Sequence, residues 1–529
     1  MPLSIARPWF TAMFATLIAG MFSPANAQTV DRMWRDSCAS CHGVTGQGSE
    51  QAGSLLDQQW SWVGSAADRQ DPPGEAADGW IRGLFDAVKS GHRDVPGIES
   101  PRFDQTLSDP RVWALVNYLL ELRASDHRLR GGGPTRDARG VYSSAHRTYR
   151  VEEVITADVR TPWGIAFCPD LGDPSAEPLS RAMLITEKSG RLRVYSDKAG
   201  GGRLSGPVEG IPAVSDAGQG GLMGLCLHPN FKDNRLVYLS YAESIDGDAR
   251  RVMTTIIRGR LTPGSAGRWA WETERVIFRA RPEHFLSPGV HYGCRIVFDP
   301  TDPTILFFAI GERGRMDMAQ DLTRPNGKVH RVRDDGSIPI DNPFASNSGP
   351  VYKSIWTYGN RNPQGLAFDL EGNLWSTEHG PRGGDELNLI VKGRNYGWPV
   401  VSHGINYDGH PFRVPWPDLA GKREASMDAG VVETSPDTIA MPAHVWLPSI
   451  AACGLTVSNA GVLPEWKGDL FAGGLAGQTV RRVRVREGRV IEEEEVLHGL
   501  GRVRDVACAP DGSIYVLLND PDKIVRLVP

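Results

Sequence analysis

The segment Cys38-Ala39-Ser40-Cys41-His42 places two thiols and an imidazole within one short stretch of chain. In this C-x-x-C-H pattern the thiols can form thioethers with the vinyl groups of a haem, and the adjacent imidazole can bind the iron as its proximal ligand. A zinc or redox C-x-x-C site is the competing interpretation, but the sequence has no second C-x-x-C. The motif therefore predicts a haem c bound covalently to Cys38 and Cys41, with His42 on the iron.

The sixth ligand of this iron is not fixed by the sequence. In cytochromes c with such a motif, the sixth ligand is usually a Met that precedes a Pro, ahead of the last helix. Here Ser100 precedes Pro101, and no Met lies between Cys41 and residue 124. His92 is the best substitute, and a bis-His haem would have a lower reduction potential than a Met/His haem. An open or water-bound sixth position is the alternative.

The elements around this motif are typical of a small all-α domain. Residues 32–36 suggest a first helix, and residues 108–123 combine an N-cap Ser with the apolar spacing of a last helix. Over about residues 28–124 this layout resembles class I cytochromes c. We therefore expect the haem to belong to a separate N-terminal domain.

The segments on either side of this domain differ in composition. Residues 1–27 combine a basic start, an apolar stretch and the small-residue site Ala25-Asn26-Ala27, which predicts a cleaved signal peptide. An uncleaved anchor is the alternative. We expect export, most simply to a bacterial periplasm. Residues 125–147 are rich in Gly and polar side chains, which predicts a flexible linker that lets the haem domain dock.

The overall composition favours a turn-rich β protein for the rest of the chain. The 529 residues include 60 Gly and 38 Pro, and the formal net charge is −5. A chain of mixed charge argues against nucleic acid as a partner. After the signal peptide no segment is long and apolar enough to span a bilayer, so we expect no membrane span in the mature chain.

A strand–turn–strand phrase recurs six times across residues 148–529. The copies are GIAFCPD from Gly164, GLCLHPN from Gly224, RIVFDPTDP from Arg295, GLAFDLEGN from Gly365, GLTVSNAG from Gly454 and DVACAPDG from Asp505. A hairpin repeated in this way predicts an all-β, six-bladed β-propeller, with residues 149–155 supplying the strand that closes the ring. Loops from every blade would then meet around one central channel.

Several phrases in these loops are more specific than a generic blade. They are GQGGLMGLCLHPNF, HYGCRIVFD, IGERG, YGNRNPQGLAFD, EHGPRGGDELNLI and GRVRDVACAPDG. In this order they resemble the soluble aldose sugar dehydrogenases that use pyrroloquinoline quinone (PQQ), which are related to soluble glucose dehydrogenase. The resemblance runs from about residue 151 to the C-terminus. It implies an enzyme that needs PQQ and Ca²⁺.

The resemblance also assigns roles to individual residues. His291 would be the general base for the substrate hydroxyl, Glu312 would orient its imidazole, and Arg361 would stabilise negative charge on the quinone oxygen. Further PQQ contacts are implied for Gln219, Asn362, Gln478, Arg502 and Arg504. Arg502 and Arg504 alternate along a strand and would therefore point to one side. The carbonyls of Gly380 and Pro381 would bind a Ca²⁺ beside PQQ, and Glu386 with the Tyr396 carbonyl would bind a structural Ca²⁺.

Together these assignments predict an exported quinoprotein dehydrogenase. It would oxidise the C1 hydroxyl of an aldose to a lactone, pass the electrons to its own haem, and hand them to a downstream cytochrome or respiratory chain. Two alternatives are a non-catalytic, sugar-binding propeller and a calcium-dependent lactonase, each tethered to a cytochrome. The arginines and His291 argue against the first, and the motifs offer no obvious carboxylate and Asn cage for the second.

Overall fold

The computed structural model describes residues 29–49, 54–56, 79–91, 102–129, 133–168, 182–198, 201–264, 268–410 and 439–529. The predicted signal peptide and His92 lie outside these ranges. Within them, no helix combines the length and apolar character needed to cross a membrane.

The N-terminal part of the described chain is helical. Its helices are α1 (Val30–Ser37), α2 (Ala39–His42), α3 (Gly79–Ser90) and α4 (Asp109–Leu129). Apolar side chains from α1, α3 and α4 form one buried cluster that includes Val30, Trp34, Phe85, Val112 and Val116. The last helix begins next to Ser108, as expected, but it continues beyond residue 123 and ends at Leu129.

The rest of the chain folds into six antiparallel sheets in the described residues, with one short helix, α5 (Phe231–Asn234). The strands are β1 (Thr135–Arg136), β2 (Val141–Ser143), β3 (Thr148–Ile155), β4 (Pro162–Cys168), β5 (Ala182–Glu187), β6 (Arg191–Lys198), β7 (Gly201–Leu204), β8 (Leu222–Leu227), β9 (Leu236–Ser244), β10 (Val252–Pro263), β11 (Trp269–Phe278), β12 (Ile296–Phe298), β13 (Ile305–Ile310), β14 (Lys328–Arg333), β15 (Ile355–Tyr358), β16 (Pro363–Phe368), β17 (Leu374–Glu378), β18 (Asp385–Leu389), β19 (His444–Trp446), β20 (Ala452–Val457), β21 (Leu470–Gly474), β22 (Thr479–Arg486), β23 (Arg489–His498), β24 (Arg502–Cys508), β25 (Ile514–Asn519) and β26 (Lys523–Val528).

Each predicted repeat forms the first two strands of one sheet. The first strands β4, β8, β12, β16, β20 and β24 contact one another in sequence, and β24 contacts β4 again, so they form a closed ring around a central channel. The second strands are buried along their whole length, apart from the last two residues of β9, which explains why they are so apolar. The six-bladed β-propeller with a small helical domain in front of it is confirmed.

The ring is closed by strands from both ends of the propeller sequence. The sixth sheet has the order β1-β2-β3-β26-β25-β24, and β3 pairs with β26 from Arg150 opposite Val528 to Ile155 opposite Ile524. The predicted role of residues 149–155 is therefore confirmed. Closing the ring with hydrogen bonds covers edges that an open sheet would expose.

The segment predicted as a flexible linker, residues 125–147, is largely regular in its described part. Helix α4 extends to Leu129, and β1 and β2 form a hairpin that joins the sixth sheet through β3. Glu494 accepts the N–H of Ala145, and His146 contacts Glu492 at 2.8 Å, so this hairpin is also held to β23. The Gly-rich composition was a poor guide here because cross-strand contacts to the propeller order these residues.

Candidate active site and haem motif

The predicted site residues lie at one end of the channel because of the antiparallel order of the blades. In each blade the start of the first strand and the end of the second strand lie side by side. Gln219, His291 and Arg361 precede first strands, whereas Glu312 and Gly380 follow second strands. Residues that are far apart in sequence are therefore brought to the same rim.

His291 and Glu312 form a direct pair at this rim. His291 Nδ1 lies 2.5 Å from Glu312 Oε1, and the Glu312 side chain is almost fully buried. The backbone N–H of His291 donates to Gln219 Oε1 at 2.9 Å. A Cβ on Gly311 would lie 2.4 Å from the His291 carbonyl oxygen, so only Gly allows the two strands to approach this closely. The carboxylate thus fixes the ring, and Nε2 is the nitrogen left to act on a substrate.

The surroundings of His291 favour its neutral form. Burial lowers the pKa of His291 below its ordinary value, and the charge of Arg361 lowers it further, while Glu312 opposes both effects. A neutral imidazole can accept a proton, and the nearby carboxylate stabilises the cation that results. The pair therefore has the properties of a general base with an orienting group.

Arg361 and Asn362 lie directly before β16, the next first strand around the channel. Arg361 Nη1 donates to the carbonyls of His379 at 3.1 Å and Gly380 at 2.7 Å, and its guanidinium lies 5.2 Å from the centre of the Trp398 ring. Asn362 Oδ1 accepts the N–H of Gly293 at 3.1 Å. The two side chains are buried and held in place from several blades.

Arg502 and Arg504 lie at the start of β24, but the strand does not alternate regularly between them, as the sequence analysis assumed. The pairing of β24 with β25 skips from Val503 to Asp505, so Arg504 is the extra residue of a β-bulge and the strict alternation is broken. Arg504 lies over the Trp163 ring at 4.0 Å, and its Nη1 is 3.7 Å from Cys453 Sγ. The bulge and these contacts direct the guanidinium to the channel.

Similar bulges occur in four other first strands of the described chain. Their pairing also skips, at Trp163 in β4, Gln364 in β16, Met223 and Gly224 in β8, and Cys453 and Gly454 in β20. Cys453 Sγ lies 3.5 Å from Gln364 Oε1, and Trp163 Nε1 lies 3.4 Å from Cys294 Sγ. Bulged residues of neighbouring blades therefore contact one another, and Trp163 also contacts Cys294, which precedes β12.

A buried ion pair braces the channel near these bulged residues. Arg295 Nη1 lies 2.8 Å from Asp505 Oδ2, with side chains that are 9% and 3% exposed. Arg295 precedes β12 and Asp505 lies on β24, which is three blades away around the ring in either direction. The pair therefore joins opposite sides of the propeller.

His379 is a site residue that the sequence analysis did not single out. Burial lowers its pKa well below the ordinary value, and the charges of Arg361, His291, Arg504 and Arg502 act in the same direction. His379 is therefore surrounded by the predicted PQQ contacts. Its position directly before Gly380 was a weak signal, because a lone His after a strand is usually structural.

Polar atoms at this rim are buried without hydrogen bonds. In the described residues they include Arg361 Nε, Asn362 Nδ2, His379 Nε2 and Glu312 Oε2. Leaving such groups unpaired costs about 1–3 kcal/mol each. The donors among them are the groups that an anionic, oxygen-rich ligand would satisfy.

Gln478, another predicted PQQ contact, lies between β21 and β22. It lies exposed in the turn after β21, with a left-handed backbone (φ 49), and its carbonyl accepts the N–H of Gly499 at 2.9 Å. Burial lowers the pKa of Lys188, Asp216 opposes this effect, and the charge of Arg504 adds to it, so Lys188 lies within electrostatic reach of Arg504. A cation close to Arg504 therefore comes from the end of β5.

The predicted calcium ligands lie in two neighbouring places. Gly380 and Pro381 follow β17, and the Gly380 carbonyl already accepts a hydrogen bond from Arg361. Glu386 lies on β18 directly opposite Glu378, and burial together with Glu386 raises the pKa of Glu378 to about 8. Two adjacent carboxylates of this kind suit a divalent cation. Tyr396 is buried, and its N–H donates to the Tyr358 carbonyl at 2.8 Å.

The haem motif forms the single helical turn α2, with Cys38 directly before it. The N–H groups of Cys41 and His42 both donate to the Cys38 carbonyl, at 3.2 and 2.9 Å, which places the two thiols and the imidazole on one side of the turn. Neither thiol forms a disulfide. Trp34 Nε1 donates to the Val44 carbonyl at 3.0 Å and holds the segment that follows.

Comparison with known proteins supports both parts of the chain. Residues 159–526 match the family model for glucose/sorbosone dehydrogenases, and residues 25–119 match the model for subunit III of cbb3-type cytochrome c oxidase. The chain is 39% identical over 370 residues to the aldose sugar dehydrogenase YliI of Escherichia coli (strain K12), covering 70% of this chain and 90% of that protein. It is 27% identical over 430 residues to quinoprotein glucose dehydrogenase B of Acinetobacter calcoaceticus, covering 70% and 85%.

A solved structure of a related enzyme also matches the propeller. The apo-form of the soluble aldose sugar dehydrogenase of Escherichia coli is 37% identical, with a TM-score of 0.60, and the match covers 72% of this chain and 99% of that one. The resemblance expected from the loop phrases is therefore confirmed. The chain belongs to the glucose/sorbosone dehydrogenase family, and it is an oxidoreductase that carries a cytochrome c domain in front of its propeller.

Proposed function

We propose that this protein oxidises the C1 hydroxyl of aldose sugars to lactones, with PQQ as the hydride acceptor, and passes the electrons to its own haem. The observation that carries the proposal is the set of buried, unpaired side-chain nitrogens on Arg361, Asn362 and His379 beside the His291–Glu312 pair. The quinoprotein and aldose dehydrogenase names of the relatives support the same chemistry. The signal peptide predicted in residues 1–27 supports a periplasmic location.

His291 would remove the proton of the substrate hydroxyl. Its Nδ1 is engaged by Glu312 at 2.5 Å, so Nε2 is the atom that accepts the proton as the C1 hydride leaves. The imidazolium that forms lies beside a buried carboxylate, which stabilises it without any rearrangement. Glu312 therefore orients the base and balances its charge.

The cationic rim would bind the cofactor. PQQ, when bound, supplies an ortho-quinone that accepts the hydride and three carboxylates that need cationic partners. The charge of Arg504 reaches Lys188, and the charges of Arg361, Arg502 and Arg504 all reach His379, so several cations gather near this rim. Arginine pairs with carboxylates through two parallel hydrogen bonds. The Trp163 ring under Arg504 keeps that guanidinium in place.

Calcium would bind where carboxylates and carbonyls already gather. Glu386 lies opposite Glu378, and a cation there would offset their mutual repulsion. The second proposed site, at Gly380 and Pro381, requires Arg361 to release the Gly380 carbonyl and pair with the cofactor instead. The Asp385 carboxylate accepts the N–H of Gly380 at 2.8 Å and keeps this loop in shape.

The haem would receive the electrons that leave the sugar. Cys38, Cys41 and His42 provide the two thioether positions and the proximal iron ligand on one helical turn. The iron takes one electron at a time, so a one-electron acceptor outside the chain must reoxidise it between the two transfers. A downstream cytochrome or respiratory chain is the proposed acceptor.

The test is reconstitution of the haem-loaded protein with PQQ and Ca²⁺. A panel of aldoses should reduce an artificial dye, and stopped-flow spectroscopy should show haem reduction on mixing with sugar. His291→Gln should still bind PQQ but should lower kcat about 10²–10⁴-fold. His146→Gln is the control: His146 contacts Glu492 at the protein surface, and its replacement should leave kcat unchanged. A haem that stays oxidised while sugar is consumed would reject the intramolecular route.

The same assay separates the two alternatives. A non-catalytic propeller would bind a sugar without reducing the dye. A lactonase would open lactones without PQQ. Either result would contradict the dehydrogenase assignment for this chain.

A further inference from the structure

Helix α4 of the haem domain lies against the loop that follows β17. Asn117 in α4 is 1% exposed, and its Nδ2 donates to the His403 carbonyl of the propeller at 2.8 Å. A Cβ on Gly383 would lie 2.2 Å from Asn117 Oδ1, so the helix approaches this loop as closely as a Gly permits. A buried amide that bonds across two domains fixes their relative orientation.

A salt bridge lies beside this contact. Glu121, one helical turn after Asn117, accepts three hydrogen bonds from Arg382 at 2.6 to 3.1 Å. The two side chains are only 22% and 25% exposed. Arg382 directly follows Gly380 and Pro381, so the haem domain is held by the same loop that is proposed to bind calcium beside the quinone.

Apolar and backbone contacts complete the interface. The buried cluster of the haem domain includes Ile405 and Val445 of the propeller. The N–H of Val30, at the start of α1, donates to the Gly409 carbonyl at 2.9 Å. The Trp113 ring meets the His403 ring edge-on at 6.4 Å. Two helices, α1 and α4, therefore take part.

The connection between the domains leaves little room for wide movement. Helix α4 ends at Leu129 and β1 begins at Thr135, so residues 130–134 alone join them. Five residues reach at most about 18 Å when fully extended. The propeller end of this connection is held in the sixth sheet through β2 and β3.

We propose that the haem domain is held in one fixed orientation by this interface, and that Asn117 and Glu121 are positioning residues for electron transfer from the quinone site to the haem. The proposal rests on the proposed function for the identity of the electron donor. In each transfer one electron leaves the reduced quinone cofactor and converts ferric haem to ferrous haem. The protons from the quinone go to water, and an external one-electron acceptor reoxidises the iron.

Hydrogen exchange tests the interface without any turnover. In the haem-loaded full chain, the Val30 amide should be protected by its bond to Gly409. Glu121→Gln should speed its exchange by about tenfold, which corresponds to about 1.4 kcal/mol of lost docking. Glu121→Arg should speed it further, and adding Arg382→Glu should restore protection. Unchanged exchange of Val30 in Glu121→Arg would overturn the proposal.

Kinetics then test the role in electron transfer. With PQQ, Ca²⁺ and an aldose, haem reduction in the wild type should not depend on solvent viscosity, because no domain movement is needed. In Glu121→Arg it should slow by at least about tenfold and become viscosity-dependent, while dye reduction at the propeller stays unchanged. Haem reduction that depends on viscosity in the wild type would contradict a fixed interface.

A matched control and an independent readout keep the result interpretable. Asp109→Asn also removes an ion pair from α4, with Lys89 at 2.6 Å, but within the haem domain, so it should alter neither measurement. If the wild type reduces neither dye nor haem, the proposed function fails, and the exchange experiment still decides whether the interface exists.

Discussion

Replacing Glu312 by Gln tests the proposed base most directly. The change keeps the size of the side chain and removes the charge that lies 2.5 Å from His291 Nδ1. A hydrogen bond to a charged group contributes about 1.5–3 kcal/mol, and this one strengthens when His291 becomes cationic. The loss should lower kcat/KM about 10- to 150-fold, with PQQ still bound.

The same variant should also shift the pH dependence of kcat/KM in a defined direction. His291 must be neutral to act as a base, so activity is lost as pH falls through its pKa. Burial and Arg361 lower that pKa, and Glu312 is the carboxylate that raises it. In Glu312→Gln the pKa should therefore fall further, and the acidic limb of kcat/KM should move to lower pH.

The assay is kcat/KM for an aldose from acidic to neutral pH, by dye reduction in PQQ- and Ca²⁺-loaded protein. Glu283→Gln is the matched control, because Glu283 lies 4.0 Å from another histidine, His284, and is 63% exposed. It should leave both rate and profile unchanged. An unchanged rate in Glu312→Gln, or an acidic limb that moves to higher pH, would refute the reasoning.

Three further changes probe the cofactor, the channel and the metal. Arg504→Ala should raise the Kd for PQQ about 10- to 150-fold in a fluorescence titration, because one charge-assisted contact is lost. Asp505→Asn should lower the free energy of unfolding in urea by about 3–5 kcal/mol, because it leaves the Arg295 charge buried and unpaired, whereas the Arg295→Met/Asp505→Leu double variant should recover most of the loss. In PQQ-free protein, where Arg361 holds the Gly380 carbonyl, calcium at about a hundred times its Kd should stabilise the wild type by about 2.7 kcal/mol in calorimetry and should not stabilise Glu386→Gln.

The sequence was sufficient to predict those parts of the structure that are determined by residues close together in the chain. A C-x-x-C-H motif needs only its own helical turn, which the structure places at residues 38–42. The six repeats identified the first two strands of every blade, since alternating apolar runs and tight turns are local signals. Ring closure by residues 149–155 could be predicted because the blades otherwise leave one sheet incomplete.

The remaining features depend on contacts between distant segments. The bulge at Arg504 is a property of how β24 pairs with β25, and nothing in Arg502-Val503-Arg504 reveals it. The ordered segment of residues 135–146 looked like a linker because its partners lie in β3 and β23. His379 has no motif of its own, and its position matters only once the arginines surround it.

Because β3 pairs with β26, closure of the propeller depends on the strand Lys523–Val528. Bringing positions 150 and 528 together costs about 5 kcal/mol of chain entropy, and the hydrogen bonds and side chains of one strand pair must offset it. Synthesis must reach β26 before this step can occur, so the cytochrome c domain leaves the ribosome well before the propeller can close. Deleting Lys523–Val528 would therefore remove the strand that closes the propeller and would destabilise all six blades.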